Sequence, residues 1–236
     1  MTIYVQILVR IVCLGTLIAL VPRADLVSAE WYADIYGGGA FTTKSNTESA
    51  LPGFTVTAHD VKFDTSGTVG GRAGIWFDRL PWLGVGLDVF HFHPTIGGGQ
   101  TLEITAPGLN ATTTIQTINI SVLGLGFDVL RLRLPLLQDE DFPHGRLQPY
   151  LTAGPALFWT RAKDTTNIAP ANQSNTDMSV GVKVGTGMSY QLTPLIGLFG
   201  EYRFTHFEAQ HDFAGPIQLS ETFNTHHLIG GLSFRF

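Results

Sequence analysis

Six histidines carry the side chains best suited to proton transfer or metal ligation near neutral pH: His91, His93, His206, His211, His226 and His227. The last four share one stretch with Glu208, Asp212, Ser220 and Glu221, from which a nucleophile, a base and an orienting acid can be drawn. Such chemistry needs nucleophile and base within hydrogen-bonding reach, whereas any polar loop collects these residue types. His91 and His93, two residues apart, fall on one face of a strand, as a metal pair can. A third ligand from His226 would have to come from the far end of the chain, so surface histidines are the reading adopted. Gly37-Gly38-Gly39 and Gly97-Gly98-Gly99 lack the following helix and lysine of a phosphate cradle. The sequence therefore assigns no catalytic residue, no metal ligand and no cofactor.

A second set of charges is more regular. Asp34, Arg72, Asp88, Asp128, Lys183, Glu201, Arg203 and Arg235, four acids and four bases, each sit in a segment where apolar and polar residues alternate. A period of two sends alternate side chains to opposite faces of a strand, and these eight fall on the less apolar face.

Composition narrows the setting for such strands. Only 14% of residues are charged and 44% are hydrophobic, yet no segment beyond the leader has the roughly 20 apolar residues of a membrane helix. A net charge of −5 without Lys/Arg runs argues against nucleic acid as a partner. Residues 1–29 read as an export signal: Arg10, an apolar stretch over 11–21, and Val27-Ser28-Ala29 as a cleavage site before Glu30. The single cysteine, Cys13, lies inside that leader, so residues 30–236, the one domain expected, have neither disulfide nor thiolate.

Eight alternating segments follow, near 31–42, 69–77, 83–92, 118–129, 147–160, 178–190, 196–205 and 223–236. Trp31, Ala33, Ile35 and Phe41 oppose Tyr32, Asp34 and Tyr36 in the first, and Leu228, Leu232, Phe234 and Phe236 oppose Ser233 and Arg235 in the last. The fourth changes parity, and a bulge near Val122 would reconcile its halves. Tight connections at 78–82 and 191–194 alternate with long polar ones at 44–68, 93–114, 161–177 and 206–222, and 51–63 can hide extra strand. The connection 130–146 is long where a short one is expected. Aromatics, including Trp31, Trp82, Tyr190 and Tyr202, gather near strand ends. An open edge in hydrocarbon would strand unpaired amides, so the sheet must close. The fold class is all-β, a closed antiparallel transmembrane β-barrel of eight strands.

Pairing Phe77 with Leu83 would set Arg72 opposite Asp88; similar counting sets Lys183 opposite Glu201 or Arg203, and Arg235 near Asp34 at the seam. Eight strands leave a lumen that side chains can fill, so a salt-bridged, packed interior is expected rather than an ion path.

Trp31-Tyr32-Ala33, Leu147-Gln148-Pro149-Tyr150-Leu151-Thr152-Ala153-Gly154 and the closing Leu228-Ile229-Gly230-Gly231-Leu232-Ser233-Phe234-Arg235-Phe236 carry a further signal. In them the chain resembles the small outer-membrane β-barrel family that includes the barrel domain of outer membrane protein A and porin-family surface antigens. The resemblance implies a Gram-negative outer membrane, contact with its lipid and lipopolysaccharide, and recognition by the barrel-assembly machinery through Leu232, Phe234 and Phe236. A wall-binding domain is not expected, since Phe236 closes the sequence. The function expected is a non-enzymatic role in envelope integrity or surface interaction through the long loops, whose ligand the sequence leaves open. A narrow porin-like channel and a lipid A-modifying enzyme are the alternatives.

Overall fold

The computed structural model describes residues 29–51, 54–106, 109–114, 117–163, 174–212 and 218–236. Of the expected leader only Ala29 falls within them. Eight long strands form the wall: β1 (Ala29–Thr42), β2 (Ser66–Phe77), β3 (Leu80–Phe92), β4 (Ile118–Arg133), β5 (Leu147–Lys163), β6 (Ser174–Gln191), β7 (Ile196–Asp212) and β8 (Gln218–Arg235). Each pairs antiparallel with the next, and β1 pairs with β8 to close the barrel. No described residue is helical.

The alternation written in the sequence becomes two surfaces. Trp31 (60% exposed), Val69, Leu87, Val182, Leu198 and Leu228 stand on the outside, while Tyr32, Asp34, Arg72, Trp76, Asp88 and Arg203 are buried within. A continuous apolar exterior of this extent is unsuited to water, and closure leaves the wall no unpaired edge inside a bilayer. Trp31, Trp82, Tyr190 and Phe236 ring the end that carries the tight turns, called here the turn end.

Three register features depart from the sequence reading. Phe77 pairs with Leu80, not Leu83, through a two-residue turn at Asp78 and Arg79; a bulge before Gly84 then restores Arg72 opposite Asp88. Lys183 faces Thr205 rather than Glu201 or Arg203, because the turn after β6 extends through Leu195, where Leu192 N donates to Ile196 O at 2.8 Å. The irregularity of β4 lies between Gly126 and Arg131, not near Val122. There the backbone crowds β5 so closely that a Cβ on Gly154 would fall 1.7 Å from the Phe127 carbonyl.

The connections at the other, loop end are largely strand rather than polar loop. Ser45–Leu51 and Phe54–Val61 form a hairpin on the extended edge of β8, and Thr101–Ala106 and Leu109–Thr114 form another beside it. Their β-branched runs, Phe54-Thr55-Val56-Thr57 among them, favour extended backbone. At the turn end, residues 134–146 fold back beneath the barrel. Gly145, at φ 87°, lies against the Pro135–Leu136 backbone, where a side chain has no room.

The barrel lumen as candidate functional site

The interior is built from the inward residue of every dyad, and it has two chemically distinct halves. From the turn end to mid-barrel it is a network of ions. Arg72 donates to Asp34 through Nε at 3.0 Å and to Glu201 through Nη1 at 2.7 Å. Lys183 donates to Asp88 at 2.6 Å and lies 2.7 Å from Asp128. Arg203 reaches Asp88 at 2.8 Å and Glu201 at 3.0 Å, and donates to the Tyr36 hydroxyl, which itself donates to Asp88. Tyr150 donates to Glu201 and Thr152 to Asp128. Isolated charges are costly away from water, and reciprocal pairing offsets that cost.

All eight charges expected inside, Asp34, Arg72, Asp88, Asp128, Lys183, Glu201, Arg203 and Arg235, are buried, at 5% exposure or less. Arg72 and Asp88 stand opposite one another in the sheet, yet each takes its ionic partners elsewhere, Arg72 from Asp34 and Glu201, Asp88 from Lys183 and Arg203. Arg235 faces Tyr32 and approaches Glu30, with Nη1 3.4 Å from Oε1, instead of Asp34. The seam register puts Asp34 beside Ser233, two residues from the expected position.

Three members escaped the sequence reading. Arg131 and Arg133 point inward because the β4 bulge resets the parity after Asp128. Arg131 lies 3.6 Å from Asp34 and Asp128 and over the rings of Tyr32, Tyr150 and Trp76. Glu30 receives Arg133 Nη2 at 2.5 Å. Continuing the inward row Tyr32, Asp34, Tyr36 back by two residues was the available signal for it.

Toward the loop end the lumen turns apolar. Phe90, Phe92, Phe158, Phe207 and Phe223 are at most 1% exposed and stack, with ring centroids 4.0 Å apart for Phe158 and Phe207 and 4.8 Å for Phe207 and Phe223. Ile120 and Val122 join this plug, which is why β4 begins with apolar residues facing inward. Gly124 admits the Phe90 ring, which lies 2.4 Å from where a Cβ would stand. His227 is fully buried, shares a hydrogen bond with Thr205 Oγ1 at 3.1 Å, and meets Phe92 and Phe90 edge to face.

The remaining candidates do not assemble into a catalytic set. His91 and His93 sit on the outer rim of β3 with ring centroids 4.1 Å apart, and His91 Nε2 bonds Ser121. His226 bonds the Tyr202 hydroxyl and His206 bonds Asn224, also on the outer rim. Glu221 is buried and Glu208 exposed. The side chains of His211, Asp212 and Ser220 lie outside the described residues. Among the described residues, no three histidines or carboxylates gather as a metal site.

Comparison with known proteins agrees with this architecture. OprG, an outer membrane protein from Pseudomonas aeruginosa, is 13% identical, with 89% of this chain and 96% of OprG covered and a TM-score of 0.52. Neisserial surface protein A is 14% identical over 87% of this chain and 97% of its own, at a TM-score of 0.45. The outer membrane protease OmpT from Escherichia coli is 11% identical over 90% and 99%, at 0.42. Likeness at such identity speaks to the fold alone. No curated protein matches in sequence. The family model for the outer membrane protein beta-barrel domain matches residues 11–236, and the chain therefore belongs to that family of cell outer-membrane barrels.

Proposed function

We propose that this protein is a non-enzymatic surface protein of the outer membrane, a closed pin that carries an extracellular β-platform for contact with other molecules or for reinforcing the envelope. The observation that supports this reading is the filled lumen. Among the described residues an ionic network occupies one half and a stack of phenylalanines the other, which argues against a continuous way through for water or a small solute. The loop-end hairpins, 45–61 and 101–114, extend the sheet of β8 and offer a surface outside the bilayer. Outer-membrane lipid and lipopolysaccharide surround the wall in this reading, and Leu232, Phe234 and Phe236 form the row read by the assembly machinery.

The test is conductance in planar bilayers, with correct folding established by heat-modifiable gel migration. The expected result is a silent membrane. Stable, ohmic channels from folded protein would refute the closed lumen, and a changed lipid A mass profile on expression would refute the non-enzymatic role.

A further inference from the structure

Residues 141–145 form one wall of an open cavity of about 180 Å³ at the turn end, the periplasmic mouth of the barrel. Its inner wall carries Arg235, Gln191, Gln148 and Glu30, and its rim carries Phe142, Pro143, Leu195 and Phe236. Among the described residues, the lumen network up to mid-barrel holds six cations, Arg72, Arg131, Arg133, Lys183, Arg203 and Arg235. Against these stand five carboxylates, Glu30, Asp34, Asp88, Asp128 and Glu201. One positive charge is therefore left over, shared between the two cations that lack a close carboxylate, Arg131 and Arg235. Arg72, Arg133, Lys183 and Arg203 each have a carboxylate oxygen within 3.0 Å. Arg131 does not, its nearest carboxylates standing at 3.6 Å, but it packs over three aromatic rings and does not line the cavity.

Arg235 is the cation that borders the cavity. It is 95% buried, its Nε and Nη1 have no hydrogen-bond acceptor, Glu30 stays at 3.4 Å, and Nη2 makes only a long bond of 3.4 Å to Gln148. Beside it the buried Gln191 Oε1 has no donor. A buried guanidinium short of acceptors and an amide oxygen short of a donor ask for a ligand that supplies both. The lid adds Asp141 and His144, both exposed, to the outer wall.

We propose that this cavity binds the carboxyl-terminal residue of a periplasmic peptide, its carboxylate on Arg235 and its amide N–H on Gln191. The carboxylate supplies the acceptors that Arg235 Nε and Nη1 lack, and one small residue suits a cavity of about 180 Å³. The apolar rim receives the side chain. The site faces the compartment opposite to the β-platform.

The probe is N-acetylalanine, titrated into the purified barrel in detergent micelles. Calorimetry follows binding, and so does tryptophan fluorescence, because the Trp76 ring lies 4.3 Å from the Arg133 guanidinium and 5.9 Å from that of Arg235. Saturable binding is expected, at least about tenfold weaker for N-acetylalaninamide, which lacks the carboxylate, and for Arg235→Gln. Should Arg235→Gln fail to fold, the comparison of acid with amide on the unaltered protein decides. No saturable binding, or equal binding of acid and amide, overturns the proposal. Inorganic phosphate binding as tightly as N-acetylalanine overturns the assignment to a peptide end.

Discussion

Replacing Asp88 with asparagine tests whether the ionic half of the lumen holds the barrel together. Asp88 is fully buried, accepts from Lys183 at 2.6 Å and lies 2.8 Å from Arg203 as an ion pair, with Tyr36 on its other oxygen. An asparagine fills the same space but removes the charge that both cations share. Each cation keeps one acid, Lys183 with Asp128 at 2.7 Å and Arg203 with Glu201 at 3.0 Å, so the network is weakened rather than emptied. Losing one side of a buried ion pair costs about 3–5 kcal/mol, and the residual pairing of both cations keeps the expected loss for Asp88→Asn within that range. The assay is reversible urea unfolding of the barrel in lipid vesicles, followed by tryptophan fluorescence. Adding Lys183→Met removes one of the two cations that Asp88 pairs, so the double variant should recover about 2 kcal/mol relative to the sum of the two single changes. A loss below about 1 kcal/mol for Asp88→Asn, or strict additivity of the pair, would refute the idea that these ions act as a unit.

Three further outcomes are expected. Gly154→Ala drives a Cβ into the Phe127 carbonyl and should cost about 1–3 kcal/mol or abolish folding, whereas Gly200→Ala, with open space around it, should stay within about 0.5 kcal/mol in the same urea assay. Phe236→Asp, at a position 75% exposed on the outer surface, should reduce the yield of heat-modifiable barrel in membranes; normal yield would remove the assembly role assigned to the terminal row. Truncating Phe92 and Phe158 together to alanine should open the aromatic half and produce intermittent conductance where the unaltered protein is silent, with a stability loss of about 3–5 kcal/mol per ring.

The wall was legible and the lumen only partly so, for a physical reason. Facing obeys a strictly local rule, and every strand with a lipid side and a polar side announced it, as Met178, Val180, Val182 and Val184 do in β6. Where the lumen itself is apolar the contrast vanishes. Phe90 shares the parity of Asp88 and is inward by that alternation, whereas the residue type of Phe158, Phe207 and Phe223, which also face inward, matches that of lipid-facing residues. The start of β4 departs from the expected bulge near Val122 for the same cause, since Ile120 and Val122 belong to the plug. Pairing across the lumen is not local at all. Adjacent-strand counting put Arg72 beside Asp88 correctly, but Arg72 finds Glu201, 129 residues away, and that contact depends on the curvature of the whole ring. The histidines show the converse. Their chemistry was visible in the sequence, but the fold puts His91 and His226 on separate strands of the outer rim and His227 in the buried plug.

The seam between β1 and β8 also bears on the route by which the barrel forms. Tyr36 and Arg203 are 167 residues apart, Arg72 and Glu201 129, and Lys183 and Asp88 95, so none of these pairs forms inside one hairpin. Until the first strand meets the last, a partly assembled sheet has only its local pairs, such as Arg72 with Asp34 and Arg203 with Glu201, and lacks the long-range ones, in a setting that penalises bare charge. Closure then discharges that penalty in one event, which makes half-built barrels scarce and the folding slow, as contacts of long sequence separation require. The interior charges thereby act as a proofreading step for the ring: a sheet with a strand missing or out of register cannot neutralise itself.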